Sequence, residues 1–158
     1  MKPKILSITL LVALAVGCSS VGCKTPAPAN NPAVVNTAND ITNVLPMEVA
    51  TVIQRDPASQ PFFMRTADAF DAVASGLNIT EVAILHAAES PGWTNRWAQD
   101  VVMVGPGYID AYGAQTGWAD IAGLQSLLHT TSGAIRYGAT HTPNQIAGYN
   151  DSNKRRTR

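Results

Sequence analysis

Two cysteines in 158 residues are too few for a disulfide scaffold, and their spacing fits no zinc site. Three phenylalanines beside 23 alanines leave few bulky side chains, so the chain points to helices packed through small residues. Charged side chains make up only 14% of the chain and balance to a formal net of zero. The basic excess of a dedicated nucleic-acid binder is therefore missing. No apolar run reaches the roughly 20 residues of a membrane-spanning helix, and no repeat of fixed period is visible. The length bounds the chain to one small domain with appendages.

The zero total hides an asymmetry. Lys2 and Lys4 open the chain, and Lys154, Arg155, Arg156 and Arg158 crowd its last five residues. Residues 19–153 hold five bases against all 11 acids, a net of −6, while the tail carries +4. An acidic body with a basic end is soluble, and only its tip attracts anionic polymers.

The first 23 residues carry an address. After Lys2 and Lys4, Ile5 to Val16 forms a 12-residue apolar run broken only by Ser7 and Thr9. That is the length of a secretory signal core and too short for a permanent span. The run leads into Leu14-Ala15-Val16-Gly17-Cys18. This resembles the lipobox of bacterial lipoproteins, in which small residues precede a cysteine that receives a diacylglyceryl group and becomes the first mature residue. Such signals usually have Leu where Ala15 stands here. Two other readings stay open: lipidation at Cys23 after Ser20-Val21-Gly22, or ordinary cleavage after the A-x-A triplet Ala13-Leu14-Ala15. In the latter case both cysteines survive export and can oxidise.

Beyond the signal, Pro26, Pro28 and Pro32 alternate with Ala, Asn and Thr, a composition that buries little and reads as a tether up to about Asn39. Five patches with helical spacing follow. The first, Asp40 to Asp56, puts Ile41, Val44, Leu45, Val49, Val52 and Ile53 on one face, with a delayed start or a kink at Pro46. The second opens on Asp56-Pro57 and carries Phe62, Phe63, Thr66, Phe70, Val73 and Leu77 to a stop at Gly76. Asn78 or Thr80 caps the third, which holds Ile79, Val82, Ala83, Leu85 and Ala87 and ends at Ser90-Pro91-Gly92. The fourth, Thr94 to Ala114, must bend at Gly105-Pro106-Gly107; the fifth, Ala119 to Tyr137, aligns Ile121, Leu124, Leu128 and Ile135.

The expected fold is all-α: a small bundle of about four to five antiparallel helices. The expected boundaries are 1–17 for the signal peptide, 18–39 for lipidated Cys18 and a flexible tether, 40–139 for the helical domain and 140–158 for a disordered basic tail.

Evidence for catalysis is thin. His86 and Glu89 lie three apart, with Glu81 earlier on the same patch, but carboxylate-bridged metal bundles need the reverse order and a second copy. Asp68 and Asp71 share a face with Arg65 nearby, as on a solvated helix surface. Asp100, Asp110 and Asp120 recur every ten residues, which matches no helical face. No G-x-S-x-G elbow is present, and Gly105-Pro106-Gly107 lacks the spacing and ending of a phosphate loop. No enzyme activity, metal or other cofactor is expected.

Aromatic residues give the better lead: Trp93, Trp97, Tyr108, Tyr112 and Trp118 fall within 26 residues. Tryptophan fills cores, and it also marks interfaces and sugar-stacking surfaces because it joins apolar area to a hydrogen-bonding tip. Trp93, Trp97 and Trp118 are the candidate binding residues, and Trp93, in a loop beside Pro91-Gly92, is the one expected to be most exposed.

With the stretch Arg55 to Phe63 (RDPASQPFF), the chain resembles small Ala-rich helical lipoproteins of bacteria and their phages. The resemblance implies a lipid-anchored (palmitate-bearing) envelope protein of structural, binding or accessory type, related to phage lysis or superinfection exclusion. Its partners would be the membrane, through the lipid, and an envelope protein or glycan; no nucleic acid is expected. Ser19, where an inner-membrane retention signal has Asp, favours the outer membrane facing the periplasm. The alternatives are a secreted or tethered cell-wall enzyme and a phage particle component.

Overall fold

The structure, a computed structural model, describes residues 31–76 and 79–148. The segment expected to be a signal peptide, Cys18, Cys23 and the basic end from residue 149 lie outside the described residues. Those described are all-helical, with no strand. The elements are α1 (Pro32–Arg55), a 3-10 turn (Pro57–Ser59), α2 (Gln60–Ala74), α3 (Glu81–Glu89), α4 (Arg96–Val102), α5 (Val104–Thr116) and α6 (Ile121–Thr140). One more helical segment covers 143–148. α6 packs most extensively, against α1 and α2, while α5 contacts α1, α3 and α6. Among the described residues no helix is long and apolar enough to cross a membrane.

Three boundaries differ from the sequence reading, each for a local reason. The tether expected over 18–39 is already helix from Pro32, and Val34 is buried. Asn31 caps this start, its side-chain oxygen accepting the Ala33 N–H at 3.0 Å. Pro32 sits at the first helical position, where a missing N–H costs nothing. A proline expected inside the tether is a helix start.

At the other end, the tail is expected to be disordered from residue 140, but residues 143–148 are helical. Thr142 and Gln145 form a reciprocal cap: the Thr142 N–H donates to Gln145 Oε1 at 2.8 Å, and the Gln145 N–H to Thr142 Oγ1 at 3.4 Å. Ile146 is buried behind it.

The fourth patch divides at Met103, ahead of Gly105-Pro106-Gly107. A proline ring collides with the carbonyl four residues earlier, here Val102, and α4 ends at that residue. Pro106 then falls in the first turn of α5, where amide donors have no intrahelical partner anyway. Splitting this patch gives six helices among the described residues where about four to five were expected.

The core takes most of the anticipated stripe: Ile41, Leu45, Val49 and Val52 of α1, Phe63 and Phe70 of α2, and Leu124, Leu128 and Ile135 of α6 are buried. The third patch matches the expectation in part: Ile79 and Ala87 are buried, but the face of α3 is turned. Val82 is 75% exposed, and Ile84 is buried in its place.

The crossing of α1 and α6 depends on a missing side chain. A Cβ on Gly138 would lie 2.5 Å from the Pro46 carbonyl oxygen and 2.8 Å from Val49 Cβ. Backbone cannot yield as a flexible side chain can, so Gly138→Ala should destabilise the fold by about 1–3 kcal/mol. Gly133, in the same helix, has nothing within 4 Å of its would-be Cβ. Gly133→Ala should instead stabilise by up to about 1 kcal/mol through helix propensity. Urea unfolding followed by circular dichroism separates the two; equal effects at both positions would mean that α1 and α6 do not approach this closely.

Candidate functional site

The corner between α5 and α6 holds a polar network that links the start of the described chain to Tyr112 and Asp120. Asp120 caps α6, its Oδ1 accepting the Gly123 N–H at 2.9 Å. Its Oδ2 accepts the Tyr112 hydroxyl at 2.5 Å and the Asn31 amide at 3.4 Å. Asn31 also donates to the Tyr112 hydroxyl oxygen at 3.1 Å. The start of α1 is thus tied to the end of α5 and the start of α6. Chiefly the Tyr112 bond, then the Gly123 amide, hold the Asp120 carboxyl below its ordinary value. Burial, then the bond to Asp120, pushes Tyr112 up to about 12, so it stays a proton donor across physiological pH.

Two left-handed residues close α5. Gly117 has φ +61°, and Trp118, at φ +60°, shares the conformation without glycine's freedom. For an L-residue this costs roughly 1–2 kcal/mol. The Trp118 N–H donates to the Gly113 carbonyl at 2.8 Å. The indole lies flat on Gly113: a Cβ there would be 2.6 Å from Trp118 Cε2 and 2.8 Å from Cδ2 and Cζ2. Strain of this kind persists where surroundings over-determine it, and it concentrates at ligand sites.

Trp118 also walls a cleft of about 130 Å³ between α3 and α5. Its apolar lining comes from Ile84 and Leu85 of α3, Met103 at the α4–α5 junction and Pro106 of α5. Two exposed carboxylates complete it: Glu81 at the first position of α3 and Asp110 on α5. No basic residue lines the cleft. A more open hollow beside it is shared by Trp118, Glu81 and Val82.

The three candidate tryptophans do not converge, and among the described residues no two of them make a ring contact. Trp93, expected to be the most exposed, is partly buried against the core, edge-on to Phe63 with ring centroids 5.1 Å apart. Its indole N–H donates to the Ala88 carbonyl at 2.8 Å, so its polar tip is already used. Trp97 is 37% exposed, with the Arg55 guanidinium 5.1 Å above its ring. Trp118 walls the cleft between α3 and α5.

The acidic and basic candidates are sorted differently from the sequence reading. Asp68 and Asp71 are not an independent solvated pair: both bind Arg136 of α6, Asp68 at 2.6 Å and Asp71 at 2.5 Å. Asp71 also meets His129 Nδ1 at 2.9 Å. Burial raises the Asp71 carboxyl, but Arg136, His129 and Ser132 together outweigh it and hold the group below its ordinary value. Ser132, His129 and Asp71 share the composition of a catalytic triad without its geometry. The Ser132 hydroxyl is buried and donates to the Ala67 carbonyl at 2.9 Å. His86 and Glu89 are exposed on α3. Among the described residues no three His, Cys, Asp or Glu side chains come together as a metal site.

No family of proteins, no curated protein and no solved structure matches this chain. The site therefore rests on its own geometry.

Asp120 and Asp71 both have carboxyls held below the ordinary 3.8 in the folded state. Such groups contribute stability that is full above the unfolded-state value and is lost as pH falls through the folded-state value. Stability should therefore hold between neutrality and about pH 5 and fall below about pH 4. Asp120→Asn keeps a capping side chain but removes the charge. It should be less stable than the parent at pH 7 by about 1–2 kcal/mol, and the gap should narrow at pH 3. Denaturant titrations at the two pH values check this; a gap independent of pH would refute the role given to the Asp120 charge.

Proposed function

We propose that the protein is a lipid-anchored envelope component that acts by binding, without turnover. The observation that carries this reading is the 12-residue apolar run leading through Val16-Gly17 to Cys18. Twelve residues, 19–30, lie between that cysteine and Asn31, where the helical domain starts. A chain of that length reaches at most about 45 Å, so the domain is held close to its bilayer. Two or more acyl chains on one residue give a durable hold, at about 0.8 kcal/mol per buried methylene.

In this reading the helices form an antiparallel bundle, an arrangement supported by the extensive packing of α6 on α1 and α2. The bundle presents the Trp118 cleft as its binding surface. Binding is favoured over chemistry because the one cluster with the composition of a catalytic triad is internally satisfied: Asp71 pairs with Arg136 and His129, and the Ser132 proton goes to a backbone carbonyl. Ser19 favours the outer membrane, facing the periplasm.

Intact mass of the membrane fraction tests the anchor. The native product should lack residues 1–17 and carry acyl mass on Cys18, and Cys18→Ser should leave the chain unacylated and uncleaved. Native protein recovered full-length without lipid, or acylated at Cys23 instead, would overturn the assignment of Cys18.

A further inference from the structure

We infer that the Trp118 cleft binds a small organic cation of the alkylammonium type, a trimethylammonium head being the simplest case. The inference rests on the reading of that cleft as the binding surface and adds the chemistry of its occupant.

Size comes first. The more enclosed cleft, about 130 Å³, is well below the roughly 300–1,000 Å³ of sites that take drug-sized molecules and suits a compact head group. The more open hollow of about 260 Å³ beside it shares Glu81 and Trp118 and leaves room for what the head group is attached to. Charge comes second. Glu81 and Asp110 stand at the cleft, and among the described residues neither is in an ion pair. The four described arginines are elsewhere: Arg136 is held by Asp68 and Asp71, Arg55 stacks on Trp97, Arg65 on Phe62, and Arg96 does not line the cleft. Two uncompensated carboxylates around a small apolar hollow repel anions and draw in cations.

The lining decides which cation. A metal ion needs converging oxygen ligands, and Ile84, Leu85, Met103 and Pro106 offer none from their side chains. An ion with a greasy surface suits these walls, because its methyl groups bury apolar area while its charge stays within reach of the carboxylates. An indole is the best aromatic partner for such a group. Trp118 is held in place by its stacking on Gly113 and its strained backbone, so little ordering is left to complete when the ligand arrives.

The test uses the full chain in a non-ionic detergent, with choline chloride as the probe and 3,3-dimethyl-1-butanol as its uncharged isostere. The three indole N–H resonances are followed by NMR, Trp93 and Trp97 serving as internal controls. Choline should shift the Trp118 resonance saturably and leave the other two in place, and the neutral isostere should bind at least about tenfold more weakly. Glu81→Gln with Asp110→Asn, both at exposed positions, should weaken choline by at least about tenfold while leaving thermal unfolding unchanged. Equal binding of choline and its isostere would overturn the cationic assignment while leaving the cleft as a binding surface. Absence of a saturable shift with both would overturn the cleft as well, and parallel shifts of all three indoles would mark general solvent effects and refute the site.

Discussion

The Asp120 carboxylate joins three helices. One oxygen closes the first turn of α6 and the other takes the Tyr112 hydroxyl from α5 together with the Asn31 amide at the head of α1. An uncapped helix start leaves amide donors without partners, and a buried tyrosine hydroxyl without an acceptor costs about 1–3 kcal/mol. One charge meets both requirements. It does so two residues beyond Trp118, so the turn that forces the indole into left-handed backbone is fixed at α5 by the Gly113 carbonyl and at α6 by Asp120. The shape of the cleft follows from that corner.

Small residues set the rest. Gly138 lets α6 cross α1 over Pro46, and Gly113 gives Trp118 a flat surface to lie on. Both glycines stand inside helices, where each costs up to about 1 kcal/mol in propensity. Their retention in this chain is accounted for by close approach: a methyl group at either place would meet backbone or an aromatic ring at under 3 Å. The alanine-rich composition belongs to the same architecture, in which helices meet through short side chains and a few large ones (Phe63, Phe70, Leu124, Leu128) fill what is left.

Much of the helical content was legible because it depends on local signals. Thr80 caps α3 with its hydroxyl, Ser90-Pro91-Gly92 follows its end, and the α2 stripe of Phe63, Thr66 and Phe70 is buried, all as spacing and capping residues implied. The same local logic was present at Asn31-Pro32 and at Thr142 to Gln145, where proline and asparagine density was read as loose chain; a cap and a first-turn proline look like linker until the helix behind them is known. Burial was less legible. Val82 and Ile84 are two residues apart on one short helix, and the positions of the neighbouring helices, α2 and α5 among them, decide which is covered. The tryptophans show the same limit: sequence grouped Trp93, Trp97 and Trp118, but Phe63, Arg55 and Gly113 each claim one of them from a different element. The Arg136 pairing with Asp68 and Asp71 spans more than 60 residues, and no local pattern encodes it.

The proposed anchor and the proposed cleft meet at one place. Asn31 is both the first described residue after the stretch leading from Cys18 and a partner of Tyr112 and Asp120, so the corner bearing the cleft is the part of the domain nearest in chain to the lipid. Residues 31–148 hold ten acidic and four basic side chains, a net of −6. Near an anionic bilayer such a body is pushed outward, an effect that fades within about 8–10 Å at physiological salt, whereas the tether limits how far it can go. Cations behave in the opposite way. They concentrate in the layer next to an anionic surface, so under the proposed anchoring a cation-binding cleft would face a locally enriched supply. Under the proposed anchoring, repulsion from an anionic surface and attraction of a cation to the cleft would both come from the same excess of carboxylates.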